Sequence, residues 1–305
     1  MRQIVIASAS RLPAIVRFLA AVVVVVAVYL LAGFVFGLMG FTSLGRALYA
    51  TVLLLMLLWS FSALLFSLDR VRSPLLQAAG LPCDREALRD AAFGIVFGVA
   101  AVSAVVGVVA LVGDVRLEYA GAHPAAILLS LWVLVAAAMV EEASFRGYPL
   151  HRLIEAIGAP GAVAVTSCLF GLAHLRNPHA SLWGAVNTAE IGVLLGLAYV
   201  RTRALWLPWG IHFGWNLALG LGYGLVVSGY SEFSAALAGS LAGPRWLTGG
   251  DYGIEASVTA TVVNLVAIFI LLALVKRRPA PEIIVGGPSL RITPDPAESP
   301  NPRIE

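Results

Sequence analysis

Two adjacent glutamates, Glu141 and Glu142, follow an apolar run that extends from Ala125 to Val140, and Arg146 lies four residues after the second. A carboxylate in hydrocarbon costs about 2.5–3.5 kcal/mol on insertion scales, so such a pair marks a functional site by default. Residues four apart share a helix face, whereas neighbours diverge. We therefore expect Glu142 to pair with Arg146 and Glu141 to point elsewhere, as a carboxylate suited to general-base chemistry. The alternative is a buried ion pair that only locks helices together.

Two histidines stand on later apolar runs, each one helical turn from a second distinctive residue. His174 lies four residues after Phe170, whose ring could shield or orient the imidazole. His212 lies four residues before Asn216, so a histidine and an amide share a face and could bind a developing oxyanion. Interhelical hydrogen bonding is the alternative for both histidines. Glu190, on another apolar run, could line the same cavity, pair with an arginine or carry a proton.

The composition is that of a membrane protein. Of the 305 residues, 60% are hydrophobic and 12% are charged, against roughly 45–50% and 25% in soluble domains. The net charge of +3 comes from arginines that separate apolar runs, which favours topology determinants over a nucleic-acid-binding face. The only two cysteines, Cys83 and Cys168, indicate neither a disulfide framework nor a thiolate metal site.

Apolar runs close to the ~20 residues that cross a bilayer predict about eight transmembrane helices in an all-α fold. They lie at 15–39, 46–67, 92–113, 125–146, 160–177, 182–200, 204–222 and 256–275. Seven spans with a re-entrant segment is the alternative. At 1.5 Å per residue, these limits put Glu141 and His212 in the cytoplasmic half of the membrane and His174 closer to the outer side.

Basic residues are concentrated in the connections after spans two, four and six and after the last span, which places both termini in the cytoplasm of a multi-pass cell-membrane protein. These segments hold Arg70, Arg72, Arg85, Arg89, Arg152, Arg201, Arg203, Lys276, Arg277 and Arg278, and the alternate connections hold only Arg46, Arg116, Arg176 and Arg245.

The chain divides into four regions. Residues 1–89 hold two spans and a cytoplasmic loop, 90–222 hold the core with the polar motifs, and 223–278 hold an outer loop and the last span. The Pro-rich polar tail, 279–305, is predicted to be disordered.

Three motifs together resemble a known family. Glu141-Glu142-Ala-Ser-Phe-Arg146 looks like EExxxR, Phe170-Gly-Leu-Ala-His174 matches FxxxH, and His212-Phe-Gly-Trp-Asn216 matches HxxxN. In this order, on separate spans, they resemble the CPBP family, which includes type II CAAX prenyl endopeptidases and bacteriocin-processing or immunity proteins. The resemblance covers about residues 90–222.

The resemblance implies an intramembrane endopeptidase whose helices enclose a polar, water-filled chamber and whose substrate is a membrane-bound protein or peptide. By the same resemblance, Glu141 and His174 activate a water molecule, and His212 and Asn216 stabilise the oxyanion. Glu142 and Arg146 then organise the site.

Metal use stays open. The family is commonly labelled metallopeptidase, and Glu141, His174 and His212 could hold a Zn²⁺ ion. The same side chains also suit a metal-free mechanism.

Two other functions stay open. One is a non-catalytic immunity or scaffold protein of the same fold that binds a peptide. The other is a proton-coupled transporter, with Glu190 in its relay.

Overall fold

The computed structural model describes residues 12–37, 42–69, 75–121 and 123–278. The predicted disordered tail from 279 onward lies outside the described residues. The helices are α1 (Ala14–Gly37), α2 (Ser43–Ser67), α3 (Leu75–Ala78), α4 (Arg85–Val112), α5 (Pro124–Phe145), α6 (Tyr148–His174), α7 (Leu182–Thr202), α8 (Trp206–Leu217), α9 (Arg245–Thr248) and α10 (Val258–Leu274). A π-helical turn (Ala218–Gly222) continues α8, and 3-10 turns lie at Gly250–Tyr252 and Ile254–Ala256.

The chain is an all-α polytopic membrane protein, as the sequence predicts. Among the described residues, five helical stretches are long and apolar enough to cross a membrane: Ala14–Gly37, Leu44–Ser67, Arg85–Val112, Pro124–His174 and Leu182–Thr202. The shorter helix α10 is also apolar. Each predicted span overlaps a helix within the described ranges, and α8 with its π-helical turn accounts for the seventh.

The helix ends define two faces of the protein. Arg278 donates to Asp90 at 2.6 Å, near the start of α4, and its backbone N–H donates to the Arg201 carbonyl at 2.7 Å, near the end of α7. We call the end of the molecule where Asp90, Arg201 and Arg278 meet the terminal face. At the other end of α4, strand β1 (Asp114–Tyr119) pairs antiparallel with β2 (Leu237–Ala242) in a two-stranded sheet. This sheet face carries the connection from α8 to α10.

Glycines allow α4 and α8 to pack backbone against backbone. Gly94 and Gly98 on α4 face Gly210 and Gly214 on α8, and a Cβ on Gly98 would overlap the carbonyl oxygen of Ile211. Small residues four apart are a common solution in membranes, where apolar side chains gain little by leaving lipid and close contact must supply the attraction. The contact fixes α8, the helix of the HxxxN motif.

Helix α6 is broken at Gly158, which has φ 79° and ψ 163°. Pro160 follows in the first turn of the next helical segment, where a missing N–H costs nothing. Before the break, Arg152 pairs with Glu155 at 2.9 Å, and both belong to an ion-pair cluster with Arg17. After the break, residues 159–174 form the helical segment that carries the FxxxH motif.

We predict that Gly98→Ala lowers the thermal stability of the detergent-purified protein and that Gly107→Ala, on the same helix, does not. The methyl group at 98 would overlap backbone of α8, and overpacking costs about 1–3 kcal/mol. At Gly107, no described atom lies within 4 Å of the position that the methyl group would take, and alanine favours a helix by about 1 kcal/mol over glycine. Unfolding midpoints from tryptophan fluorescence test the pair. Equal midpoints would contradict the close packing.

Candidate active site

Glu142 and Arg146 form a fully buried ion pair at the end of α5. Arg146 Nη1 donates to Glu142 Oε1 at 3.1 Å, and both side chains are 0% exposed. Arg146 Nη2 also donates to the Gly192 carbonyl of α7 at 3.3 Å, and His212 Nδ1 lies 2.8 Å from the same Glu142 oxygen. The pair therefore links α5 to both α7 and α8.

An aromatic ring takes the place of water around the arginine. The Arg146 guanidinium lies 4.2 Å from the centroid of Phe170, a cation–π contact in a site without solvent. The same ring packs edge-on against His174, with centroids 4.5 Å apart, and against His212, at 6.0 Å. Phe170 thus orients both histidines and shields the Glu142–Arg146 ion pair from solvent.

Glu141 faces both histidines. Its Oε2 atom lies 3.8 Å from His174 Nε2 and 3.8 Å from His212 Nε2, and the side chain is 29% exposed. Neither separation is a direct hydrogen bond, and this oxygen has no hydrogen-bond partner among the described residues. The three side chains surround a gap in which a small molecule could hydrogen-bond to all of them.

The hydrogen bonds of the two Nδ1 atoms determine whether the Nε2 atoms that face this gap are donors or acceptors. His174 Nδ1 lies 2.8 Å from the Phe170 carbonyl, which can only accept, so Nδ1 carries the proton. His212 Nδ1 in turn donates to the Glu142 carboxylate, which also accepts from Arg146. In the neutral rings both Nε2 atoms are then acceptors. Three acceptors around one gap suit a hydrogen-bond donor such as water, or a cation, between them.

The sequence predicted that His174 lies closer to the outer side than Glu141, but the structure brings the two side chains to 3.8 Å, at one level. The prediction took the end of its apolar run as a membrane boundary, but the connection from α8 to α10 folds over the end of α6. Asn177 Nδ2, just beyond α6, donates to the Ser228 carbonyl at 3.0 Å. The end of this helix is therefore covered by protein, at the level of Glu141.

A cavity of about 40 Å³ adjoins the histidines on the side of α7 and α10. Its walls come from Phe170, His174, Asn187, Thr188, Ile191, Ile211, His212, Trp215, Asn216, Ser228, Glu255, Ala260 and Asn264. The Asn216 side chain makes no hydrogen bond to any described residue, so its N–H groups are available to a ligand. Glu190 is not part of this wall, although its neighbour Ile191 is.

Glu255 is a third carboxylate at the site, and no motif in the sequence singled it out. It accepts from Trp215 Nε1 at 3.1 Å, from Ser228 Oγ at 3.1 Å and from the Ser228 backbone N–H. Burial raises the pKa of the Glu255 carboxyl, and the hydrogen bonds from Ser228 act against that rise. In the sequence, the only indication of Glu255 was a glutamate just before the last apolar run, and its spacing does not connect it to any of the three motifs.

The three possible zinc ligands do not form a ready metal site. No group of three or more His, Cys, Asp or Glu side chains within the described ranges is placed to hold a metal ion. Zinc stays a prediction of the resemblance, and the steps that we propose use the protein's own side chains.

Residues 123–218 match the family model described as type II CAAX prenyl endopeptidase Rce1-like. The matched segment runs from the residue before α5 to the first residue after α8 and contains all three motifs. The match confirms the family resemblance predicted from the motifs, and at the level of the family it supports a CAAX-type protease in the membrane. No curated protein and no solved structure matches the chain.

We expect Arg146→Met to destabilise the protein by about 3–5 kcal/mol, because it leaves the buried Glu142 charge without its partner. Arg116→Met is the matched control: Arg116 pairs with Asp114 at 2.8 Å, but its side chain is 70% exposed, and exposed pairs contribute about 1 kcal/mol at most. Unfolding of both variants in one detergent gives the comparison. Similar losses would show that the Glu142–Arg146 pair does not support the core.

Proposed function

We propose, on the premise that residues 123–218 resemble Rce1-like type II CAAX prenyl endopeptidases, that the chain is an intramembrane endopeptidase. It hydrolyses a peptide bond in a membrane-associated protein or peptide. The observation that carries the proposal is the position of Glu141 Oε2, 3.8 Å from the Nε2 atoms of both His174 and His212. This gap suits one water molecule and leaves it facing a base.

Glu141 acts as the general base. Its carboxylate takes a proton from the water while the water oxygen attacks the carbonyl carbon of the scissile bond, and the carbonyl π electrons move to oxygen. Collapse of the tetrahedral intermediate breaks the C–N bond. The departing nitrogen receives the proton first taken by Glu141, either directly or through His174, so the carboxylate is regenerated. One water is consumed in each cycle.

His212 and Asn216 stabilise the oxyanion. They lie one turn apart on α8 and border the same cavity. Asn216 donates through its amide. His212 donates through Nε2 when its ring carries both protons, with Nδ1 donating to the Glu142 carboxylate. Preorganised donors of this kind act where charge develops in the transition state.

The surface and the distribution of charge support a bilayer location. Helix α1 presents exposed apolar side chains such as Leu30 (63%) and Phe34 (70%), which suit contact with lipid. The terminal face carries arginines at helix ends, Arg201 and Arg278 among them. By the positive-inside rule this face is cytoplasmic, and we propose the cell membrane as the location.

The alternatives receive less support from the structure. The Glu190 carboxyl lies behind the cavity wall, within hydrogen-bonding reach of Asn264, and no described contact joins it to His174 or His212. A non-catalytic peptide-binding protein would not need Glu141 opposite two ring nitrogens. The contact between Glu141 and both histidines therefore favours hydrolysis over either alternative.

We predict that Glu141→Gln lowers proteolysis by about 10²–10⁴-fold, because the amide cannot take the proton from water. Glu118→Gln, the same change at an exposed position of β1, should leave it unchanged. N-terminal peptide profiling of host membranes, at matched protein levels, detects the cleavage products and identifies the substrate. Products that persist with Glu141→Gln would refute this base. Folded wild type that yields no products would favour the peptide-binding alternative.

Asn216→Leu should lower kcat by about 10²–10³-fold and change KM little, since an oxyanion donor acts in the transition state and not on the bound substrate. Leucine has nearly the same shape as asparagine, and Asn216 holds no described neighbour in place. The assay uses a peptide chosen from the profiling, with the unfolding midpoint as a check on folding. A loss confined to KM would assign Asn216 to substrate binding instead.

A further inference from the structure

The cavity beside the histidines has the size and polarity of a water site. Its volume is about 40 Å³, and one bound water needs roughly 10–15 Å³ measured in the same way. The cavity therefore has room for about three water molecules. Polar groups also line it, contributed by Asn187, Thr188, Ser228, Glu255 and Asn264.

The side-chain oxygen of Asn264 is buried without a hydrogen-bond partner in the described part of the chain. The residue is 1% exposed, its Nδ2 donates to the Asn187 carbonyl at 3.4 Å, and its side chain is also within hydrogen-bonding reach of the Glu190 carboxyl. Its Oδ1 has no partner among the described residues. A buried carbonyl left unsatisfied costs about 1–3 kcal/mol, and a polar cavity next to it offers water as the remedy.

The Asn187 side chain, by contrast, is fully engaged. Its Nδ2 donates to the carbonyls of Glu255 and Ser257, each at 2.8 Å, and its Oδ1 accepts from Thr261 at 2.7 Å. These bonds hold α7, α10 and the 3-10 turn before α10 in one rigid wall. The wall cannot close on the cavity to satisfy Asn264 without breaking them.

The histidines are the boundary between this cavity and the catalytic carboxylate. His174 and His212 both line the cavity, and both present Nε2 to Glu141. A water molecule that leaves the cavity between the two rings therefore arrives at the position of the nucleophile.

We propose that this cavity is a water-binding site that supplies the water consumed in each hydrolysis, with Asn264 and Glu255 holding a small water cluster. The role as a supply rests on the proposed protease function, whereas the binding of water does not. Asn264 is here a positioning residue, since it contacts stored water and not the substrate.

Hydroxyl-radical footprinting tests the water site without any need for activity. Bound water is a local source of radicals, so buried Trp215, 6% exposed on the cavity wall, should be oxidised in the wild type. Asn264→Leu, which is similar in shape but apolar, should lower the oxidation of Trp215 several-fold. Asn264→Ser, which keeps a polar group, should preserve it. Phe61, 2% exposed and not part of the cavity wall, serves as an internal reference that neither change should affect.

Measurements of kcat test whether the cavity supplies water to the reaction. We expect Asn264→Leu to lower kcat roughly tenfold, the scale of one well-ordered water, with KM unchanged and Asn264→Ser close to wild type. Protection of Trp215 in the wild type would overturn the water site whatever the activity. Oxidised Trp215 together with unchanged kcat in Asn264→Leu would overturn the supply. Oxidised Trp215 in a wild type that hydrolyses nothing would support the water site and refute the protease.

Discussion

The whole arrangement depends on one buried ion pair, Glu142 with Arg146. Two charges in an apolar interior are tolerated only if each has its partners, because an unpaired charge there costs several kcal/mol. Glu142 is shared by Arg146 and His212, and Arg146 reaches the Gly192 carbonyl and the ring of Phe170. These contacts fix the relative positions of α5, α6, α7 and α8, and so fix where Glu141 points, while Glu142 Oε2 and Arg146 Nε have no hydrogen-bond partner among the described residues.

Close packing of small residues is the second constraint, since the ion pair alone cannot set helix distances. Gly98 and Gly214 bring α4 and α8 to backbone contact, while Gly192 on α7 lies against Ser167 on α6. In lipid, side chains gain little by association, so such contacts supply much of the attraction between helices. A bulkier residue at these glycines would move a catalytic helix by more than the tolerance of a hydrogen bond.

Local sequence periodicity predicted much of this, and non-local contacts account for what it missed. The spacing of Glu142 and Arg146 is a property of one helix, and the structure has the corresponding i,i+4 pair. The depth of His174 depends on a loop that covers the end of α6, which hydropathy cannot report. Glu255 belongs to the site only because the chain returns to it about 40 residues after Trp215. Strand β1 alternates polar and apolar residues over only six positions, too few to distinguish it from a loop.

A hydrolase in a membrane must exclude water from its buried ion pair and still admit water to its catalytic residues. Around Arg146 the aromatic ring of Phe170 excludes water, which strengthens the ion pair that orders the helices. One turn away along α6, His174 borders a cavity whose wall includes Asn264 Oδ1, a buried acceptor without a described hydrogen-bond partner. Phe170 and His174 thus separate the two environments over a single helical turn. This explains why an aromatic residue and a histidine at a spacing of four belong to one functional unit.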